Sequence, residues 1–248
     1  MLLSEPVRAL LWKEWREMTR NRGMLLSSTL LPITSLVLAP FSQLYALRSY
    51  LASGPPAELG PMVGLPGGSD PIDLLLRFLF PLYVMLAGLL VPSVGSTYSV
   101  VGERERRSLE LLMILPVRVA DILVAKLAAM LLLTAVVLLP LFALDAVVLI
   151  ALDVASPGYV ALLLLVLLAS TAYSVTVALL LALLARDLRT ANYLNGAMLG
   201  PLVPLVVAVL GVVPGDWGLV AVAALLLVAG GVALAISLRW LTFERYLG

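Results

Sequence analysis

The chain contains neither cysteine nor histidine, and Lys13 and Lys126 are its only lysines in 248 residues. Without those residue types, disulfides, zinc sites of the thiolate or imidazole kind, cysteine nucleophiles and Ser-His hydrolysis are all excluded within this polypeptide. No G-x-x-x-x-G-K-[ST] occurs, and neither lysine stands where a P-loop lysine would be needed. Charge is scarce as well: 12% of the residues are Asp, Glu, Lys or Arg, against 62% hydrophobic. So little charge and so much apolar surface point away from a water-soluble globule.

Long apolar runs make up most of the chain. A helix that crosses a hydrocarbon core of ~30 Å needs about 20 predominantly apolar residues. Six segments meet that requirement: 24–45, 78–101, 122–144, 159–185, 193–213 and 219–238. Each is a continuous apolar stretch and not a short alternating one, which predicts helices and excludes a closed barrel. The expectation is an all-α polytopic membrane protein, a single domain over residues 1–248 with six transmembrane helices. Charges run from Arg8 to Arg22 ahead of a first span too long for a signal-peptide core, so that span is expected to be retained.

Orientation follows from the basic residues. A cytoplasmic N-terminus places Arg8, Lys13, Arg16, Arg20 and Arg22 inside, with Arg104, Arg106, Arg107, Arg118 and Lys126 between spans two and three. Arg186 and Arg189 then lie between spans four and five, and Arg239 and Arg245 in the tail. Only Arg48 and Arg77 remain outside, so both termini are expected in the cytoplasm.

The connections differ in character. Residues 46–77 include SGPPAELGPMVGLPGGSDP, whose proline and glycine density predicts turns in a flexible external loop. After Pro140, AVVLIALDVASPG is too apolar for a solvated loop and is expected to lie partly in the membrane or against it. Asp145 and Asp153 then fall at or beyond the outer interface. PGDWG, residues 214–218, reads as a tight turn with Trp217 anchored at the interface.

Ahead of the first span, residues 4–22 carry Val7, Leu10, Leu11, Trp15 and Met18 at helical spacing on one side, with Arg8, Lys13, Arg16, Glu17 and Arg20 over much of the rest. The pattern predicts an amphipathic helix in the cytoplasmic interface, with Trp12 and Trp15 near headgroup level. A basic stop signal that only fixes topology is the plainer reading; some four turns of amphipathic pattern favour the helix.

Between spans two and three stands GERERRSLELLMILPVRVADILVAK, residues 102–126. Glu103 with Arg107 and Arg106 with Glu110 are i,i+4 partners, Leu109, Leu112 and Met113 form an apolar side, Pro116 ends the helix, and Asp121 is placed to cap the third span. A charged helix fixed at both ends by spans is suited to pass a push from a partner into those spans. A solvated loop laced by ion pairs is the alternative.

This run resembles the signature of the ATP-binding cassette (ABC) type-2 export permeases, whose form is close to E-R-E-x-G-T-L-E-L-L-x-x-x-P-V followed by I-L-x-G-K. Glu103, Arg104, Glu105, Leu109, Glu110, Leu111, Leu112, Pro116, Val117, Ile122, Leu123 and Lys126 match it, whereas Arg107, Ser108 and Ala125 replace the usual Gly, Thr and Gly. The resemblance implies that residues 102–116 are a coupling helix docking on a separate ATPase subunit, with Glu103, Arg104, Glu105, Arg107 and Glu110 as contacts. The interfacial helix, with Trp12, Lys13, Trp15 and Arg16, would cradle the same subunit. It further implies two permease chains, identical or homologous, that form the path largely from spans two and five, with Ser96, Asn195, Met198 and Pro201 near it. The expected partners are then two copies of the ATPase, which hold ATP and Mg, a second permease chain and the lipid bilayer of the cell membrane, with no nucleic acid. This chain itself is expected to bind no cofactor and to catalyse nothing.

Two other classes compete. An ion-coupled carrier or channel needs ionisable groups near the midplane, and every span centre here is free of charge. A noncatalytic scaffold would bind a partner without nucleotide motifs. The hydroxyl clusters PSVGSTYS at 92–99 and STAYSVT at 170–176 read first as helix-packing residues. Substrate stays open, a charge-free path suiting lipidic, amphipathic or hydrophobic cargo better than a small ion.

Overall fold

The computed structural model describes residues 5–53, 74–96, 119–184 and 188–240, and every regular element among them is helical. Helix α1 (Glu5–Arg20) is followed by α2 (Arg22–Pro32), which continues through a π-helical stretch, Ile33–Leu38, into α3 (Ala39–Ser53). A second π-helical stretch, Leu75–Leu79, opens into α4 (Phe80–Ser96). Then come α5 (Val119–Ala151), α6 (Pro157–Leu184), α7 (Leu188–Leu199), α8 (Leu202–Val212) and α9 (Trp217–Trp240). Six stretches are long and apolar enough to cross a membrane: Leu25–Ala46, Leu75–Gly95, Val124–Ala151, Pro157–Ala178, Arg189–Val212 and Trp217–Ser237. Each overlaps one of the six expected segments, and they are spans one to six below.

Span four is the hub, packed against spans two and six. In lipid the contact between helices gains little from the hydrophobic effect, so close van der Waals approach and hydrogen bonds must hold it. Gly88 of span two supplies the approach: a Cβ there would stand 3.0 Å from the Leu167 carbonyl oxygen and 2.0 Å from Ser170 Oγ. Ser174 donates to the Leu89 carbonyl at 2.6 Å across the same contact. On the other side of span four, a Cβ on Gly230 would meet Tyr173 Cα at 3.1 Å. Ser170 donates within its own helix to the Leu167 carbonyl at 2.9 Å, so Ser174 supplies the cross-helix bond, and Phe80, Met85, Leu163, Leu167, Val222 and Leu226 belong to the surrounding core. Spans one and five are covered far less, with 22% and 17% of their residues buried against 61% for span four.

Span three departs from expectation. α5 runs through Pro140, as the expected 122–144 segment does, but continues past residue 144 to Ala151, so AVVLIA of the expected apolar connection is helix. Proline is tolerated inside membrane helices because neighbouring helices, hydroxyl side chains or local adjustments can re-satisfy the carbonyl it frees. The connection to span four is consequently short. Asp153 adopts φ 55°, its N–H donates to the Ile150 carbonyl and that of Val154 to the Leu149 carbonyl, both at 3.0 Å, a Schellman closure with Asp in the left-handed position. Ser156 then caps α6 through the Tyr159 N–H at 3.2 Å, with Pro157 in the first turn. Asp121 lies inside α5 and not ahead of it.

Candidate functional site

Helix α1 presents two different faces. Val7, Glu14 and Met18 are buried and Leu11 and Trp15 half-buried, whereas Trp12 is 66% exposed and Arg16 lies open beside it. Lys13 approaches Glu17 at 3.5 Å and Glu14 at 3.6 Å. Asn21 forms the only break before span one, its N–H bonded to the Glu17 carbonyl and its own carbonyl accepting from Leu25. The covered face packs on the first turns of span three, Met18 meeting Ala129, Met130 and Leu133 with Leu11, Trp15, Leu25 and Val137 around them.

An ion pair sits inside that apolar strip. Lys126 Nζ donates to Glu14 Oε1 at 3.0 Å, and the two residues are only 1% and 3% exposed. Sequence reasoning used Lys126 as a basic residue for orientation and as a motif position, gave it no partner, and left Glu14 out. The signal that would have found them is an acid at the i+7 position from Val7 on the apolar side of α1, with one lysine at the head of span three to answer it.

The expected coupling residues Glu103, Arg104, Glu105, Arg107 and Glu110 lie outside the described residues. On the expected path, the structure brings one residue to span two and leaves two on the surface. Asn195 Nδ2 donates to Ser93 Oγ at 2.6 Å, joining spans five and two within one chain. Met198 and Pro201 are exposed, and the side chain of Ser96 is outside the described set. Span five is interrupted between these residues, at Gly200 and Pro201, where Pro201 and Pro204 both lack the N–H that would continue the ladder.

At the far end of the bundle Arg77 closes the end of span five. Its Nε donates to the Leu210 carbonyl at 3.0 Å and its Nη2 to those of Gly211 and Val213 at 3.4 and 3.5 Å. These are carbonyls that a helix C-terminus leaves without intrahelical partners, and a cation there also suits the helix dipole. Tyr159 donates its hydroxyl to the Leu76 carbonyl, within electrostatic reach of Asp145 and Asp216. Asp145 is 1% exposed and neither carboxyl oxygen has a hydrogen-bond partner. It stands roughly 30 Å along the helix from Val124, at the edge of a hydrocarbon slab, but packed in protein and not open to water.

These features define a multi-pass helical membrane protein with an amphipathic helix locked onto the head of its third span. The sequence matches the ABC-2 type transporter family over residues 5–210, and the chain belongs to that family. It is therefore the permease component of an ABC-type transporter, a transport subunit that is not itself catalytic. Comparison with characterised proteins and with solved structures returns no match.

Proposed function

We propose that the chain is the membrane half of an ATP-driven exporter, assembled with a second permease chain, identical or homologous, and two copies of a separate ABC ATPase. One observation carries this reading: a sequence that belongs to the ABC-2 family over residues 5–210 has no P-loop of its own. An ATP-driven permease without a nucleotide site takes its energy from another polypeptide, so ATP and Mg are bound there and this chain holds no cofactor. Both termini face the cytoplasm of a cell membrane, following the distribution of the basic residues.

Glu103, Arg104, Glu105, Arg107 and Glu110 then dock the 102–116 segment on the ATPase. Trp12, Lys13 and Arg16 of α1 complete the contact, whereas Trp15, half-buried, packs toward span three. Closure of the ATPases on ATP pushes on both elements and tilts the attached spans. Ser96, Asn195, Met198 and Pro201 lie toward the path between two permease copies, a placement supported by the sparse covering of span five within one chain. Span centres without charge suit a lipidic, amphipathic or hydrophobic cargo.

The test is purification from native membranes in mild detergent, with mass spectrometry of whatever stays bound. A stoichiometric soluble subunit with a P-loop is expected. A monodisperse chain that retains no such subunit would overturn the exporter reading in favour of a carrier or scaffold.

A further inference from the structure

The seam between α1 and α5 sets a charged contact among apolar residues. Leu11, Trp15 and Met18 lie along α1 and Ala129, Met130 and Leu133 along α5, with the Glu14–Lys126 pair embedded at the same interface. A buried ion pair is weak evidence for stability, because taking both charges out of water offsets most of their attraction. What it can supply is register. An apolar strip of Leu, Met and Ala tolerates repacking, since chemically similar side chains recur each turn. A one-turn slide, about 5.4 Å, would instead break the Glu14–Lys126 contact inside the seam, while Lys13 would travel with Glu14 on the same helix.

The geometry points to a clamp in which Glu14 and Lys126 are positioning residues that hold α1 and the head of span three as one body. Lys126 stands ten residues beyond Pro116 in the sequence. α1 therefore travels with span three, and a displacement of either cytoplasmic element is delivered to the same membrane helix. The role in transport rests on the exporter reading above; the clamp itself does not.

The chain has no cysteine, so nitroxides placed at Ala9→Cys and Leu132→Cys, two exposed positions, label it uniquely. Pulsed electron paramagnetic resonance on the chain in lipid nanodiscs then reads the distance between α1 and α5. One narrow distribution is expected in the parent protein. E14M/K126M is expected to stay folded, with thermal unfolding no lower than the parent, while the narrow distribution is lost. The charge-exchanged E14K/K126E should restore it. A narrow distribution retained in E14M/K126M would mean that apolar packing alone sets the register, and a failure of E14K/K126E to restore it would deny the pair its role; either overturns the clamp. In the complex with its ATPase, adding ATP and vanadate should leave the parent distance unchanged, and a nucleotide-dependent shift would refute a clamp that stays closed. If no ATPase accompanies the chain, the exporter reading fails while the nanodisc measurement still decides the clamp.

Discussion

Removing one member of the Glu14–Lys126 pair should be far more damaging than removing both. Lys126→Met removes the nearer lysine from the covered Glu14 carboxylate and leaves Lys13 at 3.6 Å, a change expected to destabilise by at most roughly 3–5 kcal/mol. Thermal unfolding in detergent should show a large drop for K126M and little for E14M/K126M; equal drops would mean that the charges contribute nothing specific. Gly88 makes a second demand on a single atom. An alanine there drives its Cβ to 3.0 Å from the Leu167 carbonyl oxygen, backbone that cannot rotate away, and to 2.0 Å from Ser170 Oγ, which can. Gly88→Ala is expected to cost about 1–3 kcal/mol as an overpacking change. Ser170→Ala in the same chain should recover part of that loss and not all of it, because the carbonyl clash persists; complete recovery would place the conflict on the hydroxyl alone. Neither relation was legible in the sequence. Glu14 reads as another polar residue of an amphipathic helix, and its partner lies 112 positions away. The glycine at position 88 reads as one of many small residues until span four is laid against it.

At the scale of elements, all six spans were legible because each needs only length and freedom from central charge, and the bilayer fixes both. α1 was legible for a different reason: its apolar stripe at Val7, Leu11 and Met18 follows the helical period, and those are the residues that meet span three or are covered. What failed was punctuation. Span three was expected to run through Pro140 to residue 144, with the apolar run after it in or against the membrane, whereas in α5 the helix continues to Ala151 and closes at Asp153. Proline is a weaker stop signal in a membrane, and AVVLIA has no turn residue of its own. The Schellman closure at φ 55° carries its own expectation. Asp153→Gly should be neutral or slightly stabilising, whereas Asp153→Val should cost about 1–2 kcal/mol, since a Cβ opposes left-handed backbone and a β-branched residue tolerates it least. A more stable valine variant would show that the turn does not need that conformation. The end of span five is open to a similar test. Arg77→Leu withdraws three hydrogen bonds from the Leu210, Gly211 and Val213 carbonyls. Faster hydrogen exchange confined to the amides after Leu210, with the rest of the bundle unchanged, is the expected outcome.

At the scale of the whole molecule, coverage is uneven in a way that one chain alone does not resolve. Span four is buried on most sides, while spans one and five present Leu26, Leu30, Leu38, Tyr193, Leu205 and Val212 outward. In lipid such residues need no protein cover, so their exposure fits both a bilayer contact and a second permease chain. The charged face points elsewhere: Trp12, Arg16 and Glu17 stand open on the side of α1 turned away from span three. In the exporter reading proposed above, that face and residues 102–116 contact the soluble subunit, and the last prediction tests it. Charges at the rim of an interface govern encounter and partner choice more than insertion or folding of either partner. Reversing Glu103 and Glu110 together, as Glu103→Lys with Glu110→Lys, inverts the charge at two positions seven residues apart in the sequence, and should lower co-purification of the ATPase by roughly tenfold or more, equivalent to about 1.4 kcal/mol. Membrane insertion and thermal unfolding of the permease should stay at parental values, because neither carboxylate belongs to a span. Raising the salt concentration should weaken the parental complex and narrow the difference between the two chains, since screening acts on exposed charges first. Undiminished association after the double reversal would remove residues 102–116 from the contact and leave α1 as the element that carries it.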